Sequence, residues 1–474
     1  MRKNFCRNWL DILAETLRIK KSRPLILVWV IFLFYSAIAA AFIQFLVLPG
    51  FFPALHGKLG LLAKSDALGY HDLAAVAAER LRASNWREWE FAPQGQTAAG
   101  LAAPFYAIFG PWPSVLIPIN AFLHASTGAV VVLLLRKMGV EWRFAVVGAG
   151  LWIAMPSSLQ WVAQIQKDGY YFAGMLLTFL VWTSCLEAAA LQKNSFATLA
   201  KSGFMLMIAI LSVGLSRPYG LLFILAGSSV VATIAVIFTI KNSHFFSKRL
   251  VLKLLLPLLI AAPLFFSPIL PSDNRLQAEL PKVNTANISG RYEAETIIMR
   301  RWQNSDWMPE FLEKKLLQLV IARQGFAMEP YLSAGSSIDF DVKLSSINDL
   351  IKYIPRAMQI AVLAPFPSQW MEQGQSNGGG LMRRIAGYEM TIVYISIFIG
   401  FPIAMLMWWN RYSFWLINGL CFFIITIYAY AVPNIGTLYR LRYGFLMIIV
   451  ATGISGILTF IANQRSQQQG MPSL

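Results

Sequence analysis

Apolar runs long enough to cross a bilayer recur along the chain, separated by connectors that carry Lys, Arg, Trp and Tyr. A helix needs roughly 20 consecutive apolar residues to span the hydrocarbon core. Residues 24–48 exceed the length of a signal-peptide core and predict a retained first helix. Comparable runs follow at 113–135, from Phe144, at 170–186, up to Arg217, up to Lys241, and at 250–270, 386–409, 412–432 and 443–463. The pattern predicts an all-α polytopic membrane protein with about ten transmembrane helices.

The connectors suggest sidedness. Phe5, Trp9, Leu13 and Leu17 at four-residue spacing fit a helix lying on the membrane surface, or an ordinary basic tail, and Arg18, Lys20, Lys21 and Arg23 hold this end inside. Arg136 and Lys137, then Lys193 and Lys201, then Lys241, Lys248 and Arg249 mark the same side at alternate turns. Residues 49–112, 164–169 and 217–219 then lie outside. Residues 1–270 read as an N-terminal transmembrane module whose first outer loop, 49–112, carries juxtamembrane helices.

The long polar stretch 271–353 follows on the outer side, with charges and apolar residues at helical spacing between 292 and 326. It predicts a partly helical extracytoplasmic insert. Asn287-Ile288-Ser289 fits a glycosylation acceptor, a pattern common by chance. In the C-terminal part, 354–474, residues 354–367 are apolar but short and interrupted by Pro355, Pro365 and Pro367, which fits a re-entrant or interfacial helix. Three spans complete the chain.

This parity puts Arg383, Arg384, Arg440 and Arg442 outside, against the usual inward bias of positive charge. Either the parity shifts after the long loop or these arginines grip an anion. The second is preferred, because a guanidinium suits phosphate in partly dry surroundings.

Composition narrows the class. With 57% hydrophobic and 13% charged residues in 474, soluble domains are excluded. The net charge of +17 follows the connectors and so reflects membrane topology, with no nucleic-acid partner implied. Cys6, Cys185 and Cys421 suggest no disulfide framework, and His56, His71, His124 and His244 have no metal-ligand spacing. No phosphate-binding glycine loop appears, and neither metal nor cofactor is expected. Trp86, Trp89 and Phe91 read as interfacial anchors.

The candidate chemistry gathers on the outer side. Asp66 follows the first span, where a carboxylate is costly unless it faces a cavity or has work to do. Tyr70, four residues on, shares its helical face. Lys167-Asp168, Arg217-Pro218-Tyr219 and the stretch Gly436 to Tyr443 occupy the same side. A carboxylate can take a proton from an acceptor hydroxyl, and cations can stabilise a departing phosphate. Plainer roles stand beside these: Asp66 as a helix cap, Lys167 and Asp168 as anchor and cap, Arg217 as a snorkelling helix end, Tyr219 and Tyr443 as interfacial anchors.

Asp66-x-x-x-Tyr70-x-x-x-Ala74, the run from Pro156 to Gly169, Arg217-Pro218-Tyr219 and Gly436…Arg440-x-Arg442-Tyr443 together resemble the GT-C class of membrane glycosyltransferases. The relatives in question use polyprenyl-phosphate sugars, as protein mannosyltransferases and aminoarabinose transferases do. The resemblance implies a sugar moved from a polyprenyl-phosphate donor to a glycan, lipid or protein acceptor at the outer face of a bacterial inner membrane. It implies Asp66 as base, Asp168 as a second acid, Arg440 and Arg442 (with Arg217 and Lys167) as lipid-phosphate ligands, and Tyr70, Tyr219 and Tyr443 near substrate. Many relatives carry paired acids in the first loop, whereas Ala67 follows Asp66 here, which leaves Asp72 as a rival base. A polymerase or ligase acting on lipid-linked glycans shares most of these features. A transporter would show internal repeats, and none is evident.

Overall fold

The computed structural model describes residues 24–63, 65–84, 86–190, 196–242, 297–298, 301–326, 335–372 and 379–468. The predicted surface helix before residue 24, the predicted span 250–270 and Asn287 lie outside them. Among the described residues the structure is helical, with two isolated backbone bridges, His56 with Leu62 and Ser337 with Asn434. Six of these helices are long and apolar enough to cross a bilayer, and seven if one bent pair counts as a single span. The protein is an all-α polytopic membrane protein. The runs before Arg217 and Lys241 form helices whose described apolar parts, Ala200–Ser216 and Gly220–Ile234, fall short of span length, so the count shown is below ten. The chain divides into two units, Met1–Asp273 and Asn274–Leu474.

The first unit begins with α1 (Pro24–Phe42), continued by a π-helical stretch, Ile43–Phe51. Two juxtamembrane helices follow, α2 (Asp66–Ala83) and α3 (Thr97–Phe109), packed on each other. Next come α4 (Ile117–Met138), α5 (Trp142–Ala154) and α6 (Pro156–Ala163). Helices α5 and α6 meet at 60°, because Met155 is extended and Pro156 starts a new helix without needing a donor. Helices α7 (Asp168–Ala190), α8 (Phe196–Ser216) and α9 (Gly220–Asn242) complete the unit. Lys137 at the end of α4 pairs with Glu187 near the end of α7. That contact puts these two ends on one side, as the alternation of basic connectors requires.

Inside this unit a buried polar link crosses three helices. The His124 ring on α4 is hydrogen-bonded through Nδ1 to Ser36 Oγ on α1 (2.8 Å) and through Nε2 to Ser158 Oγ on α6 (2.5 Å). His124 is 4% exposed. Apolar helix faces gain little from association within lipid, so such bonds, together with close packing, fix which faces meet.

The second unit contains α10 (Glu310–Phe326), α11 (Ile347–Leu363), α12 (Gly379–Ile395), α13 (Phe401–Trp408), α14 (Tyr412–Ala431) and α15 (Ile435–Gln468). A π-helical turn, Ser396–Gly400, joins α12 to α13 and packs on α15. A Cβ on Gly400 would lie 2.5 Å from the Gly453 carbonyl, and one on Gly453 would lie 2.5 Å from that of Ser396. Glycine on both sides is what permits this approach.

Helix α11 is tied to its neighbours at both ends. Tyr430 at the end of α14 donates to the Leu350 carbonyl near its start, and Arg442 on α15 reaches the Ala364 carbonyl just past its end. Arg442 lies seven residues into α15, about 10 Å along it, whereas α11 is about 25 Å long. The helix therefore lies across its neighbours. Sequence placed the apolar piece at 354–367; the helix begins earlier, at Ile347, capped by the Ser346 hydroxyl, and runs through Pro355 on its exposed side. Arg356 grips Asp339 through two bonds of 2.8 and 2.9 Å, and Arg323 donates to the Asp339, Ala429 and Tyr430 carbonyls. The Arg356 guanidinium holds the Asp339 carboxyl below its ordinary range.

Candidate functional site

Asp66 is the first residue of α2 and is exposed. The backbone leading to it is fixed unusually well for a loop. Gly57 N donates to the Leu61 carbonyl and Ala63 N to that of Leu55, each at 2.8 Å, while Gly60 N donates to His56 Nε2 at 3.1 Å. Gln164, just past α6, clamps the same loop: its Oε1 accepts from Leu62 N (2.9 Å) and its Nε2 donates to the Gly60 carbonyl (3.1 Å). Gln44 and Asn120 in turn hold the backbone of residues 162–164. The motif from Pro156 to Gly169 is thus a hub that ties α1, α4 and the Asp66 loop together.

The capping reading of Asp66 needs revision. Ser65 occupies the cap position, and its hydroxyl donates to the Leu62 carbonyl instead of accepting from the helix. Asp66 sits one residue further in, where its charge complements the helix dipole. Tyr70 is 8% exposed and belongs to the packed core between α2 and α3. It supports the helix from beneath while Asp66 faces solvent.

Asp168 and Asp72 are engaged by cations. Asp168, at the start of α7, is fully buried, and its Oδ1 accepts from Arg217 at 2.5 Å. Arg217 also donates to the Tyr219 hydroxyl (3.1 Å), and the Tyr219 ring contacts that of Tyr171. Sequence separated these into an acid, a phosphate ligand and a substrate tyrosine; the structure brings them into one cluster joining α7 to the α8–α9 corner. A phosphate reaching Arg217 would have to displace a buried carboxylate, which argues for a structural pair. Lys167 is half-buried beside it. Asp72 is exposed and paired with Lys58, itself exposed, so it is a surface ion pair.

His71 lies one residue before Asp72 yet is buried, with Nδ1 3.0 Å from the Tyr106 hydroxyl on α3. Burial, assisted by Lys58 and opposed by Asp72, lowers its pKa from the ordinary 6.5. The unfolded chain therefore binds a proton more readily than the folded one. Stability from this site is complete above about pH 6.5 and declines as the pH falls below it. Acidification should loosen the α2–α3 pair first, seen as faster amide exchange at residues 66–109, and His71→Asn should flatten that dependence.

In the second unit Arg442 is 1% exposed. It donates to the carbonyls of Ile360 (2.7 Å), Ala361 (2.5 Å) and Ala364, while Tyr394 donates to that of Leu363 (2.8 Å). These carbonyls lie at the end of α11, where only that of Ile360 also accepts a backbone bond, from Ala364 N, among the bonds described, and a cation there complements the helix dipole. The lipid-phosphate role expected for Arg442 is corrected accordingly: its terminal nitrogens already hold a helix end, out of solvent. Tyr443 is 3% exposed and packed, so it is not placed to touch substrate, whereas Arg440 is half-buried. Arg383, also read as an anion ligand, binds Glu372 and the Gly335 carbonyl.

Glu389 was missed by sequence reasoning. It lies within the span Gly380–Trp408, is 4% exposed and accepts from the Tyr439 hydroxyl. The available signal was a single acid inside an apolar run. Among the described residues no group of three or more His, Cys, Asp or Glu converges as a metal site.

No family model and no curated protein matches the chain. A solved structure that is similar is the archaeal oligosaccharyltransferase AglB from Archaeoglobus fulgidus, in complex with an inhibitory peptide and a dolichol-phosphate. The superposition covers 94% of this chain and 52% of that one, at 13% identity and a TM-score of 0.44. The chain therefore spans about half the length of AglB, and a likeness this loose decides neither fold nor activity.

Proposed function

We propose that the protein is a membrane glycosyltransferase that moves a sugar from a polyprenyl-phosphate carrier to an acceptor hydroxyl, with Asp66 as general base. The observation that supports this is the placement of Asp66: an exposed carboxylate just beyond the first span, on a loop pinned by Gln164.

In the step proposed, the Asp66 carboxylate takes the proton of the acceptor hydroxyl. The acceptor oxygen bonds to the anomeric carbon as the bond from that carbon to the phosphate oxygen breaks, leaving polyprenyl phosphate. Attack opposite the leaving group inverts the anomeric centre. Lys167 is the cation proposed for the departing phosphate within the first unit. On the second unit, Arg440 remains a proposed ligand for an anionic lipid head.

The test is a transfer assay with purified protein in nanodiscs. Labelled polyprenyl-phosphate sugar should be consumed, with release of polyprenyl phosphate. Consumption of diphosphate-linked glycans alone would favour a polymerase or ligase, and turnover of neither would remove the proposal.

A further inference from the structure

The first outer loop contains a cavity of about 200 Å³ between α2 and the segment that leads to α3. Arg80 and the apolar flank of α2 form one wall; Glu88, Trp89, Glu90 and Gln94 form the other. The site is smaller than the pockets of about 300–1,000 Å³ that hold drug-sized ligands, and fits a single ring.

Its second wall is built to stay in place. The Trp89 indole N–H donates to the Gly100 carbonyl on α3 (3.1 Å), while the ring remains half-exposed and lies 5.7 Å from Phe91. A Cβ on Gly100 would fall 1.9 Å from the Phe91 carbonyl oxygen and 3.0 Å from that of Glu90. Glycine at this position is therefore what lets residues 90–91 lie directly on α3. Glu88 N is held by the Ser84 hydroxyl (3.3 Å), and Gln94 sits at φ +51° in the left-handed region, costly for a residue with a side chain. Trp89 and Phe91 were expected to be interfacial anchors. The indole N–H of Trp89 is instead taken by the protein backbone.

We infer that this cavity binds one pyranose ring that carries no acidic group. The exposed Trp89 ring offers an apolar face for the C–H side of a sugar. Carboxylates accept hydrogen bonds from neighbouring hydroxyls, and the Arg80 guanidinium donates to sugar oxygens. Two carboxylates against one guanidinium disfavour a phosphate or uronic acid. The assignment deepens the transferase reading, on which it rests only for calling the bound ring a unit of a longer acceptor, because Leu73 to Arg80 lie about 10–21 Å along α2 from Asp66.

The experiment is saturation-transfer NMR on the full-length protein in nanodiscs, with methyl glucoside, methyl galactoside and methyl mannoside, and methyl glucuronoside as the acidic comparator. At least one neutral glycoside should bind saturably and better than the glucuronoside. Glu88→Gln or Glu90→Gln should weaken it about tenfold, the effect of losing one charge-assisted hydrogen bond. Trp89→Ala should abolish the signal, and Gly100→Ala should do so by displacing residues 90–91. Absence of neutral-sugar binding, preference for the glucuronoside, or binding indifferent to both glutamine variants would each overturn the assignment. If transfer fails in every form of the protein while this binding persists, the transferase reading falls and the sugar site stands.

Discussion

Asp66→Asn should lower sugar transfer by at least about a hundredfold, the lower end of what general acid–base catalysis contributes, with expression and unfolding temperature nearly unchanged. The amide keeps the size and the acceptor oxygen but cannot take a proton. Its structural cost is bounded, because an exposed charge in the first turn of a helix is worth about 0.3–1 kcal/mol. Asp72→Asn removes only an exposed ion pair and should retain most transfer. Measuring kcat/KM for the two variants side by side separates the acids. Full transfer in Asp66→Asn with loss in Asp72→Asn would move the base to Asp72. Full transfer in both would end the mechanism.

Arg217→Ala should destabilise the first unit by about 3–5 kcal/mol, the usual consequence of removing one partner from a buried ion pair. Asp168 is fully buried, so its carboxylate would lose its cation where water reaches it poorly. Arg217→Met combined with Asp168→Asn removes both charges and should recover much of the loss, which a double-mutant cycle on unfolding in detergent can read directly. The cycle also tests the phosphate role. If Arg217 bound donor phosphate, the double variant would fold and still fail to bind polyprenyl-phosphate sugar. If it is the structural partner of Asp168, the refolded double variant should bind donor normally.

Arg442 and Arg217 make the same point from two units. Both were read as phosphate ligands because a guanidinium on the expected outer side has few other uses that a sequence can display. Both have structural uses. One holds the end of α11 and the other neutralises the start of α7.

What the sequence determined by itself was the membrane class and the positions of most helices. The reason is local. Within hydrocarbon each backbone donor must be satisfied inside its own helix, so a span announces itself as an uninterrupted apolar run. Helix α11 was half legible: its shortness and prolines pointed to a re-entrant or interfacial helix, but Pro355 hid its true start at Ile347. Tertiary structure alone decided the partners. Asp168 meets Arg217 across 49 residues, Gln164 clamps Leu62 across 102, and Arg442 reaches Ile360 across 82. Such pairs leave no periodic trace in the chain, because each depends on how separate helices pack. Hence the roles of Arg442, Glu389 and the Trp89 wall emerged only once the helices were in place.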